Sequence, residues 1–341
     1  MSASVLVFGG TGLMGSHLIA ALKKTHSHLA LTVYVRDTSA PLQEYLTSTV
    51  GVDRIVNGDF SELDKISKLA AEHDLVINSG SSWDVPLTKA IIKGLTTKFE
   101  EGKGKGSLIH VSGTGNFVDG KKDGKYAGPG AGDSKVWNDD DEEDMKLINT
   151  GMLNGGPDVE VLEAGKTKKL NTYIVFPSGV YGASLGPKAG NAPGVIQLLY
   201  KLQAEQLGFV PYVGEGSSLF QSLHVEDFPP FVLKVVDEAL KTDEPEGSVY
   251  SRCYIVSSQP TSWKETSTAF AKLLHAQGVI ASPKPRSVKL EEAGEGELPN
   301  LQAGSMLFKN DRAKKLGFKP VKESVLEYLE NELHALKMAN W

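Results

Sequence analysis

Cysteine is almost missing, with one residue, Cys253, in a chain of 341. That excludes a disulfide scaffold and any cysteine-built metal centre. It also suits a reducing compartment, so a cytoplasmic protein is expected. Positive charge is not in excess either. The 36 Lys and Arg stand against 42 Asp and Glu, a net charge of −6, which gives nucleic acid no basic field to follow. No apolar run approaches the roughly 18 residues of a membrane span. The run Val5–Phe8 begins so close to Met1 that no signal peptide is expected before it. No metal site is expected. His26 and His28 stand two apart and would not share a helix face, and the acidic run Asn138–Asp144 lacks the ligand spacing and glycine of a calcium loop. Neither nucleic acid nor membrane is expected as a partner, which leaves a small-molecule substrate and a monomer or homodimer. Glycine, by contrast, is plentiful, at 36 of 341 residues, and its placement is informative.

The first 180 residues alternate short apolar runs with helical patterns. Strands are expected at Ser4–Phe8, Leu31–Val35, Arg54–Asn57, Asp74–Asn78, Ser107–Val111 and Thr172–Phe176. Helices fall between them. Met14, Leu18 and Leu22 recur at four, Ser61 stands as N-cap of a helix carrying Leu63, Ile66 and Leu69, and Leu87, Ile91 and Leu95 again recur at four. Strands that are apolar throughout are buried on both faces, so the pattern predicts a Rossmann-type, doubly wound parallel sheet. Residues 1–180, with about 220–258, form the expected dinucleotide-binding domain. Residues 181–219 and 259–341 form a smaller mixed α/β substrate subdomain. Within these, helices are expected over Pro193–Gln206, Phe228–Leu240 and Lys322–Met338, and a strand over Val249–Val256. A helix over Ser262–Leu274 opens on a capping box, Ser262 with Glu265, and Ser282–Ser305 reads as a long loop. Asp119–Asp133 and Asn138–Asp144 read as solvated excursions or as a lid beside the site.

The first strand runs into Gly9-Gly10-Thr11-Gly12-Leu13-Met14-Gly15, a G-x-x-G-x-x-G turn opening an amphipathic helix. Gly9 permits the turn, Gly12 lets backbone approach a pyrophosphate, and Gly15 lets helix and sheet pack closely. The helix N-terminus then offers free N–H groups to the phosphates. Thr11, Leu13 and Met14 lie in the same turn. The residue ending the second strand, 21 positions after Gly15, meets the adenosine ribose, and here it is Arg36. A guanidinium there suits the 2′-phosphate of NADP(H), whereas the neighbouring acid Asp37, one residue on, would select NAD(H). Asp59 and Phe60, after the third strand, are expected near the adenine. Asn78, Ser79 and Gly80, after the fourth, are expected along the cofactor.

These residues, together with His110-Val111-Ser112-Gly113-Thr114-Gly115, Pro177-Ser178-Gly179-Val180-Tyr181-Gly182, Leu223-His224-Val225-Glu226-Asp227 and Lys315-Leu316-Gly317-Phe318-Lys319-Pro320, resemble the extended and atypical branch of the short-chain dehydrogenase/reductase superfamily. Fungal NmrA-like and NAD-dependent epimerase/dehydratase-like proteins are the nearest in look. The resemblance implies an NAD(P)-binding Rossmann fold over nearly the whole chain, with Pro177 and Val180 against the cofactor and Ser112 at the catalytic Ser/Thr position. One departure stands out. The family's Tyr-x-x-x-Lys, which exchanges a proton with the substrate oxygen, is absent, because no tyrosine lies between Val136 and Thr172. Counting back from Pro177 puts Asn154 and Asp158 at those two positions.

Groups at strand C-termini are then expected to act instead. Ser112, Tyr181, Asp158 and His224 are the candidate acid/base residues, and Ser81, Trp83, Thr114, Tyr181 and His224 the candidate substrate contacts. Each has a plainer reading: Tyr181 as packing, His224 as a cap, Asp158 as a surface carboxylate, Trp83 as filler. Three functions fit. One is an NADP(H)-dependent reductase or dehydrogenase of a small carbonyl, enone or imine. The second is a redox-neutral isomerase, dehydratase or cyclase, and the third a non-catalytic NADP(H) sensor.

Overall fold

Every residue from Val5 to Phe8 is fully buried, as a strand covered on both faces must be. In the computed structural model, which describes residues 2–119, 123–126, 135–187, 193–241, 244–322 and 324–331, the chain opens with β1 (Ser4–Phe8), α1 (Leu13–Thr25), β2 (Ala30–Val35), a short α2 (Ala40–Glu44), β3 (Arg54–Asn57), α3 (Leu63–Ala71), β4 (Leu75–Asn78), α4 (Val85–Glu100) and β5 (Ser107–Val111). There follow β6 (Val136–Asn138), α5 (Glu142–Lys146), α6 (Gly155–Lys166), β7 (Asn171–Pro177), β8 (Gly179–Tyr181), α7 (Val195–Leu207), β9 (Pro211–Val213), β10 (Leu219–His224), α8 (Phe228–Ala239) and β11 (Cys253–Val256). The chain continues through β12 (Pro260–Ser262), α9 (Trp263–Ala276), β13 (Arg286–Val288), α10 (Pro299–Ala303), β14 (Leu307–Lys309), α11 (Asp311–Lys315) and α12 (Val325–Asn331).

Seven strands form one parallel sheet in the order β11-β7-β5-β4-β1-β2-β3. The alternation of side chains along β1 divides the core. Leu6 and Phe8 pack with Ile66, Leu69, Ile91 and Leu95 on the α3/α4 face, which α6 shares. Val5 and Val7 pack with Leu18, Ile19, Val232 and Val235 on the α1/α8 face. Each such side chain contributes about 1.5–3 kcal/mol through burial, and the result is the expected Rossmann-type fold. The strand order reverses between β1 and β4, which opens a crevice at their C-terminal ends, where α/β sheets bind ligands. Three small sheets, β12-β10-β8, β13-β9 and β14-β6, sit beyond that edge. Among the described residues no helix is long and apolar enough to cross a membrane.

Several local expectations are corrected. Ser61 does not cap α3. The cap position is Glu62, and the turn is held by Asp59 and Glu62, which accept N–H bonds from Ser61 and Asp59 respectively. Only Cys253–Val256 of the segment Val249–Val256 is strand, its first four residues forming a helical turn capped by Ser248. The stretch Ser282–Ser305 is not a long loop. Arg286–Val288 pairs with β9, and α10 seats Leu301 in the core. The acidic run is not a solvated excursion either. Asn138 ends β6, Asp141 caps α5, and Asp139 is fully buried, its carboxylate accepting from the backbone N–H groups of Ile255, Arg312 and Ala313. Within the Gly/Lys-rich loop, residues 120–122 and 127–134 lie outside the described residues, as do 323 and 332–338 of the last expected helix.

Candidate active site

The turn after β1 is built to bring backbone close to a ligand. Gly9 has φ +76°, and a Cβ there would lie 2.3 Å from the Ser79 carbonyl oxygen. A Cβ on Gly15 would lie 2.0 Å from the carbonyl oxygen of Gly9. Gly12 takes the N-cap of α1 with no side-chain cap, and the first turn holds no acid, so no side chain answers the N–H groups of that turn. Beside them the Ser79 hydroxyl is buried without a hydrogen-bond partner. This arrangement fits the phosphates of a dinucleotide.

At the far end of the crevice Arg36 is exposed, and Asn57 Nδ2 donates to its carbonyl oxygen, which fixes the end of β2. Asp37 turns its carboxylate back onto the backbone N–H of Ser39. The Asp59 carboxyl is held below the usual carboxylate range by Ser61, with the Arg36 guanidinium nearby adding to the effect. Phe60 stacks on Tyr34, centroids 6.4 Å apart, and edges against Gly80. The Tyr34 hydroxyl donates to the Asp59 carbonyl oxygen, and burial and the acids Glu62 and Asp59 push it up to about 12.

Toward the middle of the sheet edge lies a cleft of about 200 Å³, bounded by Leu13, Met14, Ser112, Val180, Ile196 and Met306. No charged side chain lines it among the described residues. Thr114 is buried in its wall, Trp83 stands at its mouth with 52% of its surface exposed, and Ser81 accepts the backbone N–H of that tryptophan. Pro177 and Val180 also line it, and the Ser178 hydroxyl is buried there without a partner. A larger groove, about 1010 Å³, runs between α9 and α12. It lies away from the glycine turn and from Ser112, and its lining mixes Lys264, Glu265 and Lys272 with Leu326 and Leu329, so the cleft carries the site.

Behind the cleft the polar groups form one chain. Ser112 Oγ donates to Asp158 Oδ2 at 2.8 Å, and Asn116 Nδ2 donates to the same oxygen at 2.6 Å. Asn116 Oδ1 accepts the backbone N–H of Asn154, whose own amide donates to Ser82. His110 Nε2 stands 3.4 Å from Asp158 Oδ1 without a hydrogen bond between them, and both residues are wholly buried. On the other side Asn78 Nδ2 meets His110 Nδ1 at 3.2 Å while Asn78 Oδ1 accepts from Gly80 N–H. Burial pushes Asp158 up to about 7 against the bonds from Ser112 and Asn116, and pushes His110 down to about 4.

The structure thus brings Ser112 and Asp158 together. It sets the other two acid/base candidates elsewhere. Tyr181 is 2% exposed, its ring packed on His224 and Tyr328 at 5.2 and 5.3 Å, and His224 Nδ1 accepts the N–H of Glu226 at a helical turn. Neither side chain lines the cleft. His110 and Asn116 were not singled out from sequence. For His110 a signal exists, because positions two apart on a strand share a face, and it stands two before Ser112 on β5. Asn116 sits in an irregular turn and carries no such signal.

Residues 5–92 match the NAD dependent epimerase/dehydratase family. Over more of the chain, Oxidase ucsJ of an Acremonium species is 24% identical across 303 residues, which is 86% of this chain and 85% of that protein. The UDP-glucuronic acid 4-epimerase of Bacillus cereus, solved with UDP-glucuronic acid and NAD, is 14% identical and superposes with a TM-score of 0.61 over 98% of this chain and 99% of its own. The dTDP-glucose 4,6-dehydratase DesIV of Streptomyces venezuelae, a double mutant with NAD bound, is 18% identical at TM-score 0.62, over 97% and 95%. The resemblance to extended short-chain dehydrogenases/reductases therefore holds, by sequence in the first β–α units and by fold along the chain. The family and these neighbours are enzymes, and the two solved ones hold NAD.

Proposed function

We propose that this protein is an NADP(H)-dependent oxidoreductase that acts on a carbonyl, enone or imine of a small, neutral organic molecule, without a Tyr-x-x-x-Lys dyad. The observation that carries the reading is the position of Ser112, in the wall of an uncharged cleft at the same sheet edge where the uncapped N-terminus of α1 opens. Gly9, Gly12 and Gly15 would hold the pyrophosphate, Arg36 the adenosine ribose, Asp59 and Phe60 the adenine, and Asn78, Ser79 and Gly80 the stretch between. When bound, the cofactor supplies or takes up the hydride. The chain's own work is to orient the substrate, exclude water and handle the proton at the substrate heteroatom through Ser112. Tyr181 and His224, packed on each other outside the cleft wall, would shape the site from behind.

Two observations support the choice among substrates and cofactors. A nucleotide sugar brings a diphosphate that calls for cationic partners, and none lines the cleft among the described residues. Asp37, the acid that would favour NAD, is committed to the Ser39 N–H, which leaves Arg36 for a 2′-phosphate. The oxidase of Acremonium supports redox chemistry over a redox-neutral reaction. A redox-neutral reaction is the second reading, favoured by the epimerase/dehydratase match over residues 5–92.

Calorimetry with NADPH and NADH, on wild type and Arg36→Ala, tests the reading. NADPH should bind at least tenfold tighter than NADH, and Arg36→Ala should erase that preference while leaving NADH binding alone. Consumption of NADPH with a panel of apolar ketones, enones and imines then separates reduction from redox-neutral chemistry. Turnover of substrate with no change in NADPH would replace the first reading by the second.

A further inference from the structure

A reductase that has lost its tyrosine still needs a proton for the substrate oxygen, and the buried chain behind Ser112 is arranged to deliver one. We propose that Asp158 and Ser112 form a proton relay, in which Asp158 Oδ2 exchanges a proton with Ser112 Oγ while Ser112 exchanges its own with the heteroatom of the bound substrate. The inference rests on the oxidoreductase reading above and assigns its acid/base step.

The hydrogen-bond geometry determines which oxygen carries the proton. Asn78 Oδ1 is committed to Gly80 N–H, so its Nδ2 faces His110 Nδ1, and that ring nitrogen must accept. The ring proton of neutral His110 therefore sits on Nε2, which stands 3.4 Å from Asp158 Oδ1 without a hydrogen bond to it. Oδ1 has no acceptor beside it for a carboxyl proton, whereas Oδ2 has Ser112 Oγ at 2.8 Å, so a proton on the carboxyl belongs on Oδ2. Asn116 cannot compete for it. Its Oδ1 is taken by the Asn154 N–H, so the group it presents to Oδ2 is an N–H donor.

Two states result. With Asp158 ionised, the Ser112 hydroxyl donates inward to Oδ2. With Asp158 protonated, Oδ2–H donates to Ser112 Oγ and the seryl proton turns to the cleft. In the reduction direction the hydride forms the new C–H bond at the substrate carbon, and the carbonyl π pair moves to oxygen. That oxygen takes the proton from Ser112, Ser112 takes the proton from Asp158, and Asp158 is left as carboxylate until solvent restores it through Ser112. Oxidation runs the same steps in reverse. The other titratable groups around Asp158 stay neutral throughout. Burial holds His110 uncharged and pushes the Cys253 thiol on β11 far up. With the carboxyl raised to about 7, both states are populated near neutral pH.

Infrared spectroscopy of the cofactor-free protein tests the relay without relying on turnover. The expected result is a protonated-carboxyl band that titrates near neutrality, is missing in Asp158→Asn, and moves in Ser112→Ala, where Oδ2–H loses its acceptor. It is distinct from the band of Asp139, which remains in Asp158→Asn. With cofactor, Asp158→Asn should bind NADPH as wild type does yet reduce substrate about 10²–10⁴-fold more slowly, without the near-neutral step in its pH–rate profile. The relay is overturned if the Asp158 band is absent at every pH between about 5 and 9, if Ser112→Ala leaves it unmoved, or if Asp158→Asn keeps the wild-type pH profile. Ser112→Ala decides the matter if Asp158→Asn does not fold. Loss of NADPH binding in wild type would sink the oxidoreductase reading, while the infrared titration would still decide the exchange between Asp158 and Ser112.

Discussion

Asp158 and His110 pull protein stability in opposite directions with pH. The folded chain keeps a proton on Asp158 up to about pH 7, whereas an unfolded aspartate releases it near ~4. Between those values the folded state binds the extra proton, so stability falls as pH rises. The folded chain releases the His110 proton near pH 4, whereas an unfolded histidine holds it to ~6.5, so this residue makes stability rise over the same window. In wild type the two slopes largely cancel. Removing one partner should expose the other. His110→Gln should lose on the order of 3 kcal/mol between about pH 4.5 and pH 7, and Asp158→Asn should gain a similar amount between about pH 4 and pH 6.5. Urea midpoints collected across pH check this, and the same slope in both variants would refute it. Ser112 and Asp158 were both legible as candidates because each stands at a position the family motifs mark. That they touch was not legible, since 46 residues separate them and only the packing of α6 against α4 and β7 brings them together.

At the scale of elements, β1–β5 and the helices α1, α3 and α4 could be read directly, whereas the short α2 between β2 and β3 was not. Their apolar spacing records burial on two faces or one, and each helix packs on strands next to it in sequence. The segments that misled are held by partners far away. Asp139 looked like one more solvated acid in a row, yet it receives N–H bonds from Ile255, Arg312 and Ala313, 116 to 174 positions later. It pins β6, β11 and α11 together. Burial pushes its carboxyl up to about 6 while the three N–H groups and Arg312 hold it down. Asp139→Ala would leave three donors unanswered, two of them buried, and should cost roughly 2–4 kcal/mol, with amide exchange quickening at Ile255, Arg312 and Ala313. Asp139→Asn should recover part of that loss, because an amide oxygen still accepts. Likewise β13 is only three residues long and mostly exposed, so no periodicity announces it. Its existence depends on β9 offering an edge.

At the scale of the whole molecule, the crevice of the switch point is spanned by the glycine turn on one side and by the segment after β8 on the other. That segment is tied to the first turn of α1, where Leu185 N–H donates to Ser16 Oγ and His17 Nε2 meets the Ala183 carbonyl oxygen at 2.8 Å. A dinucleotide held as proposed would touch β1, β2, β3, β4 and β5 at once and would bind only the assembled sheet. It should therefore stabilise the fold as a unit, by about 2.7 kcal/mol at a hundredfold excess over its dissociation constant. The melting temperature should rise with NADPH more than with NADH in wild type. It should rise equally with both in Arg36→Ala, whose cofactor-free melting is unchanged because the side chain is exposed. Gly15→Ala separates cradle from ribose. Its Cβ would sit 2.0 Å from the Gly9 carbonyl oxygen, so the turn must shift, and the variant should melt lower without ligand and gain little from either dinucleotide. A Gly15→Ala protein that still gained the full shift with NADPH would place the phosphates somewhere other than the N-terminus of α1.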